Sequence, residues 1–147
     1  MAWRKANQDD LIASMSTAEI DALKTSANWD SDPVQILLKR QVAWARDQIR
    51  TNGNIRMSPD EMELPEGCIG PTMDLLVYSI ATRLGGTTTE ERKAAREDAL
   101  KYFERISRRW VTVENYGAAA TERTGGAAIE IVQAAPMRMS DRSLENL

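Results

Sequence analysis

Histidine is absent from this chain of 147 residues. Its absence excludes the commonest general base, the usual imidazole metal ligand and the nucleophiles that depend on a histidine partner. The single cysteine, Cys68, cannot form an internal disulfide, and no Cys-x-x-Cys spacing is present for a zinc ion. We therefore expect Cys68 to be a small buried hydrophobic residue, which fits a reducing compartment.

Sequence motifs of catalysis are also missing. The chain has no Gly-x-Ser-x-Gly elbow, no Walker loop and no dinucleotide fingerprint. Its glycine pairs, Gly85-Gly86 and Gly125-Gly126, lack the flanking residues of a phosphate-binding loop. The sequence therefore predicts a protein that is not an enzyme and that binds no cofactor or metal ion.

Long hydrophobic runs and a strong charge of one sign are absent as well. The longest apolar run, "LLVYSIA" from Leu75 to Ala81, is far shorter than the ~20 residues that a bilayer crossing needs. The net charge of −3 gives no overall basic field for binding nucleic acid. With 42% hydrophobic and 28% charged residues, the composition is typical of a folded soluble protein. We expect an intracellular protein with no membrane partner.

Helix-start signals are present throughout the first half of the chain. Asn7 precedes a predicted short helix, "DDLIASMS", and Ser16–Glu19 has the capping-box pattern that begins a second one. Asp32 and Pro33 form a cap and first-turn pair. Apolar side chains then recur at three- and four-residue steps as far as Thr51, so this stretch is predicted to be a long amphipathic helix.

Two more helices are predicted before the pattern changes. "TMDLLVYSIATRL" is apolar almost all round, so it should be the most buried helix. It is predicted to begin near Pro65 and bend at Gly70-Pro71, or else to begin at Pro71 as its first residue. Thr87 and Glu90 stand in capping-box spacing at the start of "TTTEERKAAREDALKYFERISRRW". The helical period ends near Trp110.

The sequence therefore predicts a mainly α fold in two parts. Residues 1–110 form a small bundle of about four to five helices, and residues 111–147 form an extended C-terminal arm. The alternation in "AIEIVQA" predicts a short strand in the arm that includes Ile129 and Ile131. Because such an arm cannot bury a core by itself, we expect it to fold on a neighbouring molecule.

Five basic residues give the long helix and its exit a local positive bias: Lys39, Arg40, Arg46, Arg50 and Arg56. Lys39, Arg46 and Arg50 are the candidates to face a channel or DNA. Asp47 interrupts this stripe, and Trp44 is the one interleaved aromatic residue. A solvated or salt-bridged face is therefore favoured over DNA contact.

Acidic residues crowd the segment after the long helix, at Asp60, Glu61, Glu63 and Glu66. They could in principle hold a hard cation, but they lack the ligand spacing and the turn glycine of a calcium loop. A solvated acidic loop is favoured, with a charged contact to a partner as the other interpretation.

The order of these parts resembles the head–tail connector proteins of tailed bacteriophages, and more narrowly the Mu-type prophage family. The resemblance covers nearly the whole chain, through "DDLIASMSTAEIDAL", "QVAWARDQIR", "LPEGCIGPTMDLLVYSIATRL" and "TEERKAAREDALKYFERISR". Its most specific part is "MSDRSLENL", because members often finish on an aromatic residue or methionine, Ser-Arg/Asp-Arg/Asp-x-Leu and a last hydrophobic residue. This chain departs from the family by having Glu-Asn-Leu where a glycine and an aromatic residue are frequent.

The resemblance implies a structural virion protein of the phage neck, assembled in the host cytoplasm. Such adaptor or head-completion proteins form a ring, typically of twelve copies, beneath the portal after DNA is packaged. The ring extends the DNA channel and offers a platform for the tail. The implied partners are the portal protein, further copies of the same chain, a downstream tail or neck protein, and packaged DNA that passes without sequence-specific contact.

A docking role for the arm follows from this resemblance as a hypothesis. Its apolar side chains would fill pockets on the portal or on an adjacent subunit, and its arginines would pair with acidic groups at the rim. The predicted docking residues are Met137, Arg138, Met139, Ser140, Arg142, Leu144 and Leu147. The alternative is a helical DNA-binding or packaging accessory protein like a small terminase subunit, which would need a recognition helix and an affinity that falls with salt.

Overall fold

The structure is a computed structural model that describes residues 2–26, 32–83, 85 and 87–117. Within these ranges the chain forms one 3-10 helix, four α-helices and two short strands, so the prediction of a mainly α fold is confirmed. In chain order the elements are β1 (Trp3–Lys5), the 3-10 helix (Gln8–Ala13), α1 (Thr17–Ser26), α2 (Pro33–Asn52), β2 (Glu63–Pro65), α3 (Glu66–Arg83) and α4 (Glu90–Ser107).

Side-chain caps begin the first elements at the predicted residues. Asn7 and Asp10 exchange the two hydrogen bonds of a capping box at the start of the 3-10 helix. Asp32 accepts a hydrogen bond of 3.0 Å from the Val34 N–H, and Pro33 is the first residue of α2. These caps satisfy donors that a helix start would otherwise leave unpaired.

The third long helix follows one of its two predicted starts. α3 begins at Glu66, so the start near Pro65 is confirmed and Pro71 lies inside the helix. Proline lacks an N–H, which removes one main-chain hydrogen bond at that turn. One residue later, the Thr72 hydroxyl donates to the Cys68 carbonyl at 2.7 Å. α3 therefore continues through its proline without a break.

The last helix begins at a different cap from the predicted one. The Thr89 hydroxyl, rather than that of Thr87, accepts from the Arg92 N–H at 3.2 Å, and Glu90 is the first helical residue. The predicted Thr87–Glu90 capping box is therefore wrong. In a run of threonines, the one next to the first helical residue has the extended backbone that a cap requires.

A short antiparallel pair of strands was not predicted. β1 pairs with β2 in the register Trp3 to Pro65, Arg4 to Leu64 and Lys5 to Glu63. Three residues are too few for a period-2 pattern to stand out from the surrounding sequence. The pair joins the start of the chain to the entrance of α3.

The core lies where α2, α3 and α4 pack against one another. Phe103 is fully buried, with its ring edge-on to Trp44 and Tyr102 at centroid distances of 5.3 and 5.6 Å. α3 has nine buried residues among its 18, against nine of 20 in α2, which confirms it as the most buried helix. Of the helices in the described ranges, none combines the length and apolar character that a bilayer crossing requires.

The compact unit extends past the predicted boundary at residue 110 and ends at Gly117. We call residues 111–117 the strap, since Val111 and Val113 pack against the core. The Trp3 indole N–H donates to the Glu114 carbonyl at 2.7 Å, and the Tyr116 ring lies edge-on to Trp3 at 6.2 Å. The compact unit thus continues seven residues past the predicted boundary at 110, since Val111 and Val113 of the strap are partly buried against the core.

The remainder of the predicted arm lies outside the described residues. This applies to the strand predicted at Ile129 and Ile131 and to the docking motif. Both stay predictions from the sequence. The docking residues concerned are Met137, Arg138, Met139, Ser140, Arg142, Leu144 and Leu147.

Candidate functional site

Arg46 is not available to a channel or to DNA, in contrast to the prediction from the sequence. Only 6% of the residue is exposed, and its guanidinium donates to the carbonyls of Glu63 at 2.7 Å and Ser58 at 2.6 Å. The same group lies 5.8 Å from the centroid of the Trp3 ring. Burial lowers the pKa of Arg46. We call Arg46 together with β1 and β2 the seam, because this side chain holds β2 and the preceding loop against α2.

The other two candidates of the basic stripe remain on the surface. Lys39 and Arg50 are both exposed. Arg50 pairs with Asp47, three residues before it, at 2.6 Å. The salt-bridged reading of this helix face therefore holds at Arg50, where the pair is exposed and contributes little to stability.

The predicted acidic loop is divided among several elements. Glu63 lies in β2, where its carboxylate accepts from the Ser58 hydroxyl, and Glu66 begins α3. Asp60 accepts from the Met62 N–H at 2.9 Å and pairs with an exposed lysine of β1 at 3.0 Å. The Met62 hydrogen bond and then the lysine lower the pKa of Asp60. In the part of the chain that the structure describes, no three ligating side chains are grouped as a metal ion would require.

Cys68 is buried, as predicted. Its thiol is fully inaccessible and lies 4.0 Å from the Tyr102 hydroxyl. Burial raises the pKa of Cys68 to about 12. The side chain therefore acts as a small packing group between α3 and α4 and not as a reactive thiolate.

A groove of about 260 Å³ opens where α2, α3 and α4 meet. Its positions on each helix follow the three- and four-residue steps that place side chains on one face. Leucines and a tryptophan form an apolar floor, while arginines, a serine and a glutamine form the polar part. We call it the arginine groove; it is lined by Leu37, Arg40, Gln41, Trp44, Leu75, Ser79, Arg83, Arg96 and Leu100.

The charge of the arginine groove is not balanced by carboxylates. Three arginines line it and no acidic residue does. Within the described ranges, Arg40 and Arg83 form no hydrogen bond or ion pair, and the guanidinium of Arg96 lies over the Tyr78 ring at 4.8 Å. By contrast, Arg92 on the same helix donates to both carboxylate oxygens of Glu19 at 2.9 Å.

An acidic counterpart is formed by Asp74 of α3 and Asp98 of α4, which we call the acidic pair. Burial raises the pKa of Asp74, and the nearby charge of Asp98 raises it further. Neither carboxylate takes part in an ion pair or hydrogen bond among the residues that the structure describes. Within the described ranges, neither the arginine groove nor the acidic pair therefore has partners of opposite charge.

The sequence reasoning missed Arg83 and Arg96 because they come from different helices. Arg40 carries a partial signal, since it stands between Leu37 and Trp44 on one face of α2. The groove exists only once three helices are packed, which the pattern of a single helix does not contain. Of the site residues predicted from the sequence, only Lys39, Arg46 and Arg50 are described, and none of them lines the groove.

Comparison with known proteins gives no identification: no protein-family model, curated protein or solved structure matches this chain. The resemblance to phage connectors therefore rests on the motifs quoted from the sequence. Guanidinium groups above an apolar floor favour a surface that presents carboxylates beside apolar side chains.

Proposed function

We propose that this protein is a structural subunit of a tailed-phage neck, a head–tail connector located in the virion. Copies of the chain would form a ring beneath the portal, extend the DNA channel and provide the platform for tail attachment. The proposal is supported by the order of helical parts, since the motifs that carry the resemblance coincide with α1 to α4.

The observation that carries the proposal is that the chain up to Gly117 forms a compact unit of its own. The strap is held on one side by Trp3 and on the other by Arg56, whose carbonyl accepts from the Tyr116 N–H at 2.9 Å. Among the described residues, the hydrophobic core and the side chains packed against it run from Trp3 to Val113. A later segment that still carries methionine and leucine side chains is therefore suited to contact another molecule.

The free energy available to such an arm is adequate for docking. Its four apolar side chains, buried at ~1.5–3 kcal/mol each, would contribute roughly 6–12 kcal/mol before ordering costs. Those costs consume much of the gain. Repetition around a ring then turns a weak single contact into a durable joint through multivalency. The four side chains are Met137, Met139, Leu144 and Leu147.

Deletion of residues 137–147 tests the proposal. We expect the truncated protein to keep its helical circular dichroism and its urea midpoint, because the core of the described residues involves side chains from Trp3 to Val113. We expect it to lose attachment to phage heads, measured as copies per head by electron microscopy. The matched control is the full chain with Ser143→Ala and Asn146→Ala, polar positions of the same segment, which should attach normally. Normal occupancy by the truncated protein would contradict the docking role.

The alternative, a DNA-binding accessory protein, has one observation in its favour. Trp110 is 68% exposed, and the Arg108 guanidinium lies over its ring at 5.2 Å. An exposed aromatic residue beside a cation is a feature of platforms that stack nucleic-acid bases. A filter-binding titration at low and high salt separates the two functions. A connector should bind free duplex weakly, whereas strong binding that falls with salt and is lost in Trp110→Ala would favour the alternative.

A further inference from the structure

We infer that the arginine groove receives residues 137–147 of a second copy of this chain. Leu144 of that copy would lie against the apolar floor, and Asp141 and Glu145 would meet the arginines. The inference deepens the proposed function and rests on it in one respect, because it assigns the docking segment to a neighbouring subunit of the ring.

The arginine groove joins an apolar floor to positively charged groups. Leu75 at its floor is buried, and the ring of Trp44 beside it is partly buried. The three arginines come from three helices, Arg40 from α2, Arg83 from α3 and Arg96 from α4. Guanidinium groups beside low-dielectric surface attract a carboxylate more strongly than groups in open water. The groove therefore favours a partner that offers carboxylates next to an apolar side chain.

Parts of the groove are held in place before any partner arrives. The Trp44 ring packs edge-on against the buried Phe103 at a centroid distance of 5.3 Å. The guanidinium of Arg96 lies over the Tyr78 ring at 4.8 Å. A surface that is already ordered loses less conformational entropy when it binds, which favours affinity.

The size of the groove favours the side chains of a segment over a small molecule. Its volume of about 260 Å³ is smaller than the ~300–1,000 Å³ of typical small-molecule pockets. An open groove between packed helices is also the kind of surface that receives an amphipathic helix, whose anchoring side chains stand three and four positions apart. We therefore look for a segment with both carboxylates and an apolar residue at that spacing.

Residues 137–147 contain this combination. Asp141, Leu144 and Glu145 stand at the three- and four-residue steps that place side chains on one face of a helix. Arg142 precedes Leu144 by two positions, roughly 200° round a helix, and so falls on the other side. As a docked helix, the segment would bring its two carboxylates, and not Arg142, to the groove together with Leu144.

The chain between the compact unit and this segment is long enough to reach a neighbour. Residues 118–136 lie between the two, and a fully extended chain of that length spans at most roughly 60–70 Å. A unit of this size has an expected radius of gyration of about 13 Å. An adjacent copy in a ring is therefore within reach. A contact between segment and groove joins unlike surfaces, and repeating it produces a closed ring when the rotation closes.

A mixture of two defective chains tests the contact between copies. The truncated protein lacks residues 137–147 and keeps its groove, while the groove-reversed variant keeps the segment and carries Arg40→Glu, Arg83→Glu and Arg96→Glu. Sedimentation velocity on a series that reaches about 1 mM should show self-association of the natural chain that weakens with salt. Each defective chain alone should self-associate at least about tenfold more weakly. Their equimolar mixture should form a one-to-one complex that does not grow further, because one working segment and one working groove remain.

Variants of the segment test its predicted face. Asp141→Asn with Glu145→Gln removes the two carboxylates and should weaken self-association of the full chain at least about tenfold. Ser143→Lys with Asn146→Lys changes the net charge by the same amount at positions away from that face, so it should leave self-association unchanged. Equal weakening by the two variants would contradict the assignment of the carboxylates.

A matched control separates the groove from net charge. Lys39→Glu, Arg50→Glu and Lys93→Glu reverse three exposed basic residues of α2 and α4 that do not line the groove. This variant should self-associate as the natural chain does. Urea midpoints confirm that each variant is folded. Should the groove-reversed variant fail to fold, the version with all three groove arginines changed to glutamine takes its place, with the same expected results.

A natural chain that stays monomeric throughout the series overturns the inference, as does a mixture of the two defective chains that fails to associate. Attachment to phage heads is measured on the same proteins and reports on the proposed function separately. A truncated protein that loses attachment while the natural chain is monomeric would assign the segment to the portal and overturn the contact between copies alone. Normal attachment of the truncated protein, with self-association of the natural chain intact, would count against the connector proposal alone.

Discussion

Arg46 and Arg40 lie on the same helix, yet the surfaces around them neutralise charge in opposite ways. At the seam, Arg46 is buried and donates to two main-chain carbonyls of the loop and strand that cover it. In the arginine groove, Arg40 is exposed and has no partner in the described residues. The difference teaches that burial forces pairing within one chain, whereas a groove open to solvent can keep charge for another molecule.

The same contrast recurs within α4. Arg92 joins α4 to α1 through Glu19 and also donates to the Thr87 carbonyl at 2.7 Å. Arg96, one helical turn later, has no ion pair among the described residues, and its guanidinium lies over the Tyr78 ring. Arginines of the first kind join elements of the fold, and we expect substitution of those of the second kind to change the stability of the fold much less.

The largest effect is expected from breaking the seam. Arg46→Ala leaves the Glu63 and Ser58 carbonyls without their donors and opens a void beneath β2. We expect a loss of about 3–5 kcal/mol in the free energy of unfolding, measured by urea denaturation. Arg50→Ala, which removes an exposed arginine from the same helix, should change it by less than about 0.5 kcal/mol. Equal effects of the two changes would remove the distinction between the surfaces.

A smaller effect is expected at the pair between α1 and α4. The hydrogen bond from Arg92 is the first cause that lowers the pKa of Glu19 below its ordinary value of 4.5. A lowered pKa in the folded state stabilises the protein at any pH above the unfolded-state pKa. This contribution is lost as pH falls through the folded-state pKa. Glu19→Gln should therefore cost about 0.5–1 kcal/mol at pH 7 and little at acid pH. Glu90→Gln, at an exposed pair, is the control, and a cost that persists at acid pH would contradict the assignment.

The smallest effect, and one of opposite sign, is expected at the acidic pair. The pKa of Asp74 is raised, so its ionised form is disfavoured in the folded state. The free energy of unfolding therefore falls as pH rises through the pKa of Asp74 in the unfolded state and then through its higher pKa in the folded state. Because the Asp74 carboxylate is largely open to solvent, which screens the effect, Asp74→Asn should raise the free energy of unfolding at pH 7 by no more than about 0.5 kcal/mol. It should leave that free energy unchanged at a pH below both the folded-state and the unfolded-state pKa. Urea denaturation of dilute protein measures this, and a loss at pH 7 would show that the carboxylate has a partner.

Structural features that depend on contacts between residues close in the chain are the ones that the sequence predicts best. The caps at Asn7 and Asp32 and the start near Pro65 depend on contacts a few residues apart, and all three are confirmed. The burial of Arg46 also carried a signal, because it stands four residues after Val42 on the apolar face of α2. Grouping it with basic neighbours, instead of with that apolar face, produced the wrong assignment.

Features that depend on distant parts of the chain could not be predicted in the same way. The seam joins β1 to a strand that follows it by some sixty residues, at Glu63–Pro65. The arginine groove combines Arg40, Arg83 and Arg96 from three helices, so it depends on how those helices pack. The strap was assigned to the arm because its valines show no helical period, although they pack against the core.

The strap determines how a pull on the chain would enter the folded unit. Tension applied beyond Gly117 acts first on the bonds of Glu114 to Trp3, of Asn115 to the Arg56 N–H and of Tyr116 to the Arg56 carbonyl. Because Trp3 belongs to β1, the load is transmitted to that strand. The strap and β1 would then detach while the packing around Phe103 stays intact.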